Sequence, residues 1–561
     1  MKKLTCLLLA VLLLAGCSAD VPGETMPEIV LEPLVPVADA AAPEYVSRFD
    51  SVTEITLSDN GISVDGGAET GAVFTSRDII YYEETDAYES GNPYGEGTDA
   101  DKHTAQEAAE HTVVNITAPG AYRIRGQLSA GQIRIDLGED AYENPDAVVE
   151  LILDNVDISC TVAPAILFLN TYECDGSWST DSAKPDVNTS SAGANLILEG
   201  ENTVSGAYVA KIFKDAEGEK KLWKQDGAIY SYMSMNVFGP GKLDLTAGNE
   251  GLDTELHLTI NGGDIAIRSD NDGINTNEDG VSVTTINGGN IHIIAGLGAE
   301  GDGIDSNGYL VINGGTVVAS ANPAADAGLD SDLGSFIHGG TVVALGSTMD
   351  WAESDSGQVT MNLQFAAYQD SGCAIIVTRA DGTVVFAYDP SEDEVAAENA
   401  RKYSGAILSC PYLNRGESYQ LYLDGTVTGR DVGGVYDIFS ISGYEGGIQM
   451  AYTGSDVMMR PMGGFGSQRP EGDFRGEKPE DLGGEMPQDF TRPDGERPEM
   501  PNGEMPQMPE GMEPPEGEIP EGGFKGNWNP MGSTEANGEA NSIFYMQDMV
   551  NFFSGVAEVT Q

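Results

Sequence analysis

Ile260-Asn261-Gly262-Gly263-Asp264-Ile265-Ala266-Ile267 is written again as Ile286-Asn287-Gly288-Gly289-Asn290-Ile291-His292-Ile293 and as Ile312-Asn313-Gly314-Gly315-Thr316-Val317-Val318-Ala319. It fades in Ile337-His338-Gly339-Gly340-Thr341-Val342-Val343-Ala344. The first glycine of the step stands at 262, 288, 314 and 339, so the copies are 26, 26 and 25 residues apart. After each step apolar residues alternate by two over a few positions, which is the side-chain period of a strand. A helix would repeat them three and four apart over a longer run. Between the steps lies an acidic turn: Asn249-Glu250-Gly251-Leu252-Asp253, Asn271-Asp272-Gly273-Ile274-Asn275, Gly301-Asp302-Gly303-Ile304-Asp305 and Ala327-Gly328-Leu329-Asp330.

A fixed period in the twenties, with short strands and a glycine turn in each unit, predicts a solenoid. The expected fold is all-β: a right-handed parallel β-helix of roughly 25-residue coils, closed by a β cap, with a disordered Pro/Gly/Met/Glu-rich segment. Stacking places equivalent residues about 4.8 Å apart. Asn261, Asn287 and Asn313, with His338 at the end, should then form a scaffold ladder that satisfies turn backbone groups, and the paired glycines should supply positive φ.

The acidic turns stack in the same way, and closely spaced carboxylates repel. The chain carries 90 acidic and 28 basic residues in 561, a formal net charge of −62. Across 243–400 there is no lysine, and the only arginines are Arg268 and Arg379. A hard cation with oxygen ligands would relieve the repulsion, and Ca²⁺ accepts six to eight of them in flexible geometry. The candidate ligands are Asp253, Asp270, Asp272, Asn275, Asp302, Asp305, Asp326 and Asp330, with Asp332 beside them. Neither a twelve-residue EF-hand loop nor the glycine-rich calcium nonapeptide is present. So acidic a surface repels nucleic acid and anionic lipid, which excludes both as partners.

The first 17 residues read as a lipoprotein signal: Lys2 and Lys3, a short apolar run, and Leu14-Ala15-Gly16-Cys17, which resembles a lipobox. Cys17 would be acylated, placing the protein outside the cytoplasm with the membrane as a partner only through that lipid. Residues 18–50 read as a flexible linker, 51–455 as the repeat domain, 456–532 as low-complexity disorder, and 533–561 as a C-terminal segment that docks back. The polar insertion 77–110 reads as a surface loop. An exported compartment permits disulfides, and proximity suggests Cys160 with Cys174 and Cys373 with Cys410. The insertion at 211–224 is basic and aromatic; Lys211, Lys214, Trp223 and Lys224 are its candidate ligand-binding residues.

The repeats, together with Gly120-Ala121-Tyr122-Arg123-Ile124-Arg125-Gly126 and Leu151-Ile152-Leu153-Asp154-Asn155-Val156-Asp157-Ile158, resemble a bacterial calcium-binding β-helix family of carbohydrate-binding domains. The resemblance implies a right-handed parallel β-helix, lipid-anchored or secreted, shaped like a pectate lyase. It also implies binding of cellulose or acidic glycans, with Asp272, Asn275, Asp302, Asp305 and Asp330 at the calcium turns. Family turns often carry lysine after the Asp-Gly-Ile step, where this chain has Asp253, Asn275, Asp305 and Asp330. The expected function is therefore a monomeric, non-enzymatic cell-surface protein that binds polysaccharide through a calcium-stabilised scaffold. The alternatives are a polysaccharide lyase or glycoside hydrolase acting on polyuronate, and a structural adhesin. β-Elimination needs a base, and the lysine-free run argues against one there.

Overall fold

The computed structural model describes residues 28–31, 45–82, 101–176, 183–216, 219–369, 374–390, 402–444, 447–448, 450–454 and 542–555. Residues 1–17 with Cys17, most of the linker, and all of 456–532 lie outside the described residues. What is described is nearly all β, with one α-helix and one 3-10 turn among the described residues.

Each repeat contributes three short strands. In one repeat they are Glu250–Thr254, Leu258–Ile260 and Asp264–Ser269. Each pairs in parallel with its counterpart one repeat on: Leu252 with Ile274, Ile260 with Ile286, and Ile265 with Ile291. The same pairing continues through Ile304 and Leu329, Ile312 and Ile337, and Val317 and Val342. Three parallel ladders result. The first follows the acidic turn, the second leads into the Asn-Gly-Gly step, and the third leaves it. Nearer the N-terminus, Gly120–Leu128 and Val149–Cys160 are long enough to run through the second and third ladders without a break.

Alternation decides what each strand buries. Leu252, Ile274, Ile304 and Leu329 on the first ladder, Ile260, Ile286, Ile312 and Ile337 on the second, and Ile265, Ile291, Val317 and Val342 on the third are each at most 1% exposed. They belong to a single continuous apolar core. Each such side chain contributes about 1.5–3 kcal/mol of burial.

The two glycine turns use glycine for different reasons. In the Asn-Gly-Gly corner the second glycine has positive φ: 110° at Gly263, 96° at Gly289, 85° at Gly315 and 82° at Gly340. In the acidic turn, glycine provides clearance between repeats. A Cβ on Gly273 would meet Ile293 Cγ2 and would lie 2.6 Å from the carbonyl oxygen of Gly303. Gly273→Ala should therefore destabilise the fold by roughly 1–3 kcal/mol or more, read as a lower urea midpoint. An unchanged midpoint would show that the repeats can separate there at little cost.

Antiparallel strands cover the last repeat. Tyr403–Ser409 pairs with Thr341–Gly346 and with Thr360–Gln369. A seven-stranded sheet with its own apolar cluster adjoins them. The C-terminal strands pair with this region: Phe544–Tyr545 with Ser418–Tyr422, and Val550–Gly555 in parallel with Thr360–Gln369. The edge of the ladder is thus paired rather than left as an open template.

Three local expectations are corrected. The insertion 77–110, read as a loop, holds the helix Ala105–Glu110. Its six residues are too few to show a 3.6-residue period. The capping box Thr104-Ala105-Gln106-Glu107 starts it, with the Thr104 N–H donating to Glu107 Oε2 at 2.7 Å. The linker is tied down in two places. Ile29–Val30 pairs with Phe439 and Ile438. Glu150 accepts from Ser47 Oγ at 2.6 Å and from the Arg48 N–H at 2.8 Å. Cys160 and Cys174 are both free thiols, so the suggested bridge between them is absent. Cys160 ends a strand inside the apolar core, and burial pushes its thiol up to about 11. Cys410 is also a free thiol, and Cys373 lies outside the described residues.

Candidate cation site

The first ladder sets the acids in register. Tyr230, Asp253, Asn275, Asp305 and Asp330 stand opposite one another in successive strands. Their neighbours Leu252, Ile274, Ile304 and Leu329 point into the core, so by alternation this column points away from it. Even so, Asp253 is 0% and Asn275 5% exposed.

A second acidic column precedes the turn glycine. Gly251 N–H donates to the Asp272 carbonyl, and Gly273 N–H to the Asp302 carbonyl, each at 3.0 Å, which aligns Glu250, Asp272 and Asp302. Two of these carboxylates cap the backbone of the next repeat. Asp272 Oδ1 accepts from the Asp302 N–H at 2.6 Å, and Asp302 Oδ1 from the Ala327 N–H at 2.5 Å. Part of the acidity is therefore structural: it satisfies amides that a turn would otherwise leave unpaired.

The columns converge at Asp226, Glu250 and Asp253. One carboxylate oxygen from each lies within 4.8 Å of the others, and all three residues are buried. Asp253 Oδ1 accepts from Asn277 Nδ2 at 2.6 Å. Its Oδ2, Glu250 Oε2 and the nearby Asn275 Oδ1 are buried with no hydrogen-bond partner. Lys224 Nζ sits 2.6 Å from Asp226 Oδ2. With all three ionised, one ammonium against three carboxylates leaves a formal charge of 1 − 3 = −2. A single divalent cation would cancel it. Oxygens this close can all reach one Ca²⁺ at about 2.3–2.6 Å, so these residues fit the ion.

Electrostatics ties the rest of the stack to this point. Burial, then the Glu250 charge, holds the Asp253 carboxyl well above the usual carboxylate range. Burial followed by Glu250 and Asp305 does the same to Asp272, and burial followed by Asp330 and Asp302 does it to Asp305. Asp302 is pushed up to about 8, by burial first and then Asp330. Asp330 is raised by burial. Without a cation, Asp302 keeps its proton at neutral pH.

Two expected ligands lie nearer the surface, and of these Asp326 still acts through its charge on Asp302 and Asp330. Asp270 is exposed, and its carbonyl oxygen accepts from the Gly298 N–H at 2.8 Å. Asp326 is half-buried, and its Oδ2 accepts from the Gly301 N–H at 2.9 Å.

The basic insertion is a two-stranded antiparallel ribbon, Val209–Ala216 with Glu219–Gln225. Lys211, Lys214 and Trp223 lie on it, with Ile212 opposite Trp223 and Lys214 opposite Lys221. Lys224, at the end of the ribbon, is paired with the acidic site. Its ammonium is drawn to Asp226, because three buried carboxylates attract the nearest cation.

Asp226 and Glu250 were not singled out from sequence. Both are visible in hindsight. Glu250 occupies the place of Asp272, and Asp226-Gly227-Ala228-Ile229-Tyr230 is a diverged copy of the acidic turn, aligned through Gly227 with Glu250 and Tyr230 with Asp253.

The asparagine ladder exists, but its amides bond to one another. Asn287 Nδ2 donates to Asn261 Oδ1 at 2.8 Å, and Asn313 Nδ2 to Asn287 Oδ1 at 2.9 Å.

A family model described as carbohydrate-binding domain-containing protein matches residues 110–360. Among solved structures, the chain is similar to a polysaccharide lyase-like protein from C. thermocellum, determined as a gadolinium derivative. The identity is 21%, the match covers 52% of this chain and 93% of that one, and the TM-score is 0.29. No curated protein matches.

Proposed function

We propose that this chain is a cell-surface polysaccharide-binding protein: a right-handed parallel β-helix clamped by Ca²⁺ at its acidic turns and anchored by acyl chains on Cys17. The match of 110–360 to the carbohydrate-binding model supports a polysaccharide as the partner. One observation carries the calcium part: the buried Asp226–Glu250–Asp253 group, with its unpartnered oxygens and an uncancelled charge. Asp226, Glu250 and Asp253 would hold the ion, with the Asn275 amide oxygen beside them. Asp272, Asp302, Asp305 and Asp330 would be eased by further cations along the stack. Stiffened repeats would present a long, regular surface to an extended glycan.

The same site argues for binding rather than elimination. Lys224 is the lysine seen beside the proposed ion among the described residues. Burial works to lower its pKa, but Asp226 and Glu250 outweigh burial and hold it well above its ordinary value. In the ion-free protein that ammonium is held in its pair with Asp226, whereas elimination needs an unprotonated base.

The test is retention of the full chain on insoluble cellulose and on immobilised polygalacturonate, in CaCl₂ and in EDTA, with absorbance of unsaturated uronate followed in parallel. The expected result is retention in calcium, weakened by EDTA, with no rise in absorbance. Calcium-dependent stability without retention on any glycan would favour a purely structural adhesin. A rising absorbance would favour a lyase.

A further inference from the structure

Beside the Asn-Gly-Gly corner runs an elongated cavity of about 430 Å³ that the calcium reading does not use. Its floor is the outward column of the second ladder, where Asn236, Thr259, Thr285 and Val311 stand in register with Phe336 next along the same column, and Thr189 covers the Asn236 end, its hydroxyl 2.7 Å from both Asn236 and Thr259. One side is the corner itself, Asn261, Asn287, Asn313 and His338, and the segment 185–190 also lines the cavity. We propose that this groove is the polysaccharide-binding site and that it takes a neutral, extended glycan chain rather than a polyuronate. The proposal rests on the reading of the protein as a glycan binder and gives that reading a place and a ligand class.

Four observations carry it. The first is charge. The lining contains no lysine or arginine, and Asp186 is its one carboxylate. The cations at its rim are already engaged, Lys184 3.7 Å from Asp186 and Arg48 donating to the Ser190 carbonyl at 2.7 Å, so the lining itself offers a polyuronate no cation, whereas a neutral sugar asks for none.

The second is hydrogen-bonding capacity. Asn287 and Asn313 each commit one N–H to the amide below. A carboxamide has two N–H groups and two acceptor lone pairs, so each repeat keeps capacity for a hydroxyl. Thr285 adds a half-buried hydroxyl in the middle of the floor.

The third is the pair of aromatic ends. Phe336 lies 6.1 Å from Tyr309 and stacks at 23° on His338, with centroids 6.2 Å apart. Tyr309 and Phe336 are partly exposed. At the other end Phe238 packs on Tyr45 at 5.1 Å. Aromatic rings combine a large apolar surface with a defined face, which suits the C–H faces of sugar rings.

The fourth is period. Equivalent positions recur about every 4.8 Å along the ladder, close to the length of one hexose in an extended chain. A polymer laid along the groove would meet similar amides at successive sugars.

The experiment is calorimetric titration of the full chain, in CaCl₂, with cellohexaose and with hexagalacturonate. Cellohexaose should bind. Thr285→Arg, which fills the floor, and Phe336→Ala, which removes the aromatic end, should each weaken it about tenfold or more, a change of ~1.4 kcal/mol. Their calcium-dependent melting should stay as in the wild type. His338→Asp, at an exposed position, provides the same test should Thr285→Arg fold poorly. Groove variants that bind cellohexaose as the wild type does would overturn the proposal. So would a wild type that binds hexagalacturonate but not cellohexaose, although glycan binding would then stand. A wild type that binds neither ligand removes this proposal and the reading beneath it together.

Discussion

Adding Ca²⁺ to chelator-treated protein at pH 8 is expected to raise the thermal midpoint, while the same addition at pH 5 changes it little. The sign follows from the buried acids. Asp302, pushed up to about 8 by burial and then by Asp330, represents the group. An unfolded carboxylate titrates near 4. Between those two values the ion-free fold holds a proton that the unfolded chain has released, so stability falls as pH rises through the window. In EDTA the midpoint should therefore drop from pH 5 to pH 8. Calcium needs the deprotonated ligands, so its affinity rises over the same range. At a hundred times its dissociation constant, an ion bound only by the fold adds about 2.7 kcal/mol per site. That corresponds to a midpoint shift on the order of 5 °C. A midpoint in EDTA that is flat or rising from pH 5 to 8 would contradict the assignment of these acids as buried and cation-deprived.

Asp253→Asn should invert the order of stabilities. Asp253 is fully buried, has one carboxylate oxygen without a partner, and sits against Glu250 and Asp226. Replacing it with the neutral amide removes a buried charge or the forced proton that neutralises it. In EDTA at pH 8 the variant should melt above the wild type. In saturating calcium it should melt below, because an amide oxygen can still reach the ion but brings no negative charge, and calcium affinity should fall. The two melting curves, each with and without calcium, check this directly. A variant that is destabilised equally in both conditions would make Asp253 a packing residue and nothing more.

Legibility differed by element. The strands of the repeats could be read because each repeat imposes the same backbone demand on the same residue type. The second glycine of each corner needs positive φ, and the apolar residues beyond it alternate. The acidic columns were visible for the same reason, and Asp272, Asp302, Asp305 and Asp330 do influence one another electrostatically, while Asp253 feels Glu250 and Asp226. What escaped lies where periodicity breaks. Asp226 belongs to a turn whose later aspartate has become Tyr230, and Lys224 comes from an insertion outside the repeat. The helix Ala105–Glu110 is too short for any period to register. The groove draws its floor from residues about one repeat apart and part of its lining from 185–190, so no single stretch of sequence announces it.

The most direct measurement is a crystal structure of the protein grown in CaCl₂, with the ion located by its anomalous signal. The account predicts an ion between Asp226, Glu250 and Asp253, with carboxylate oxygens at about 2.3–2.6 Å and Lys224 still paired to Asp226. A site without an ion, with the three carboxylates protonated or gathered around the Lys224 ammonium alone, would contradict it.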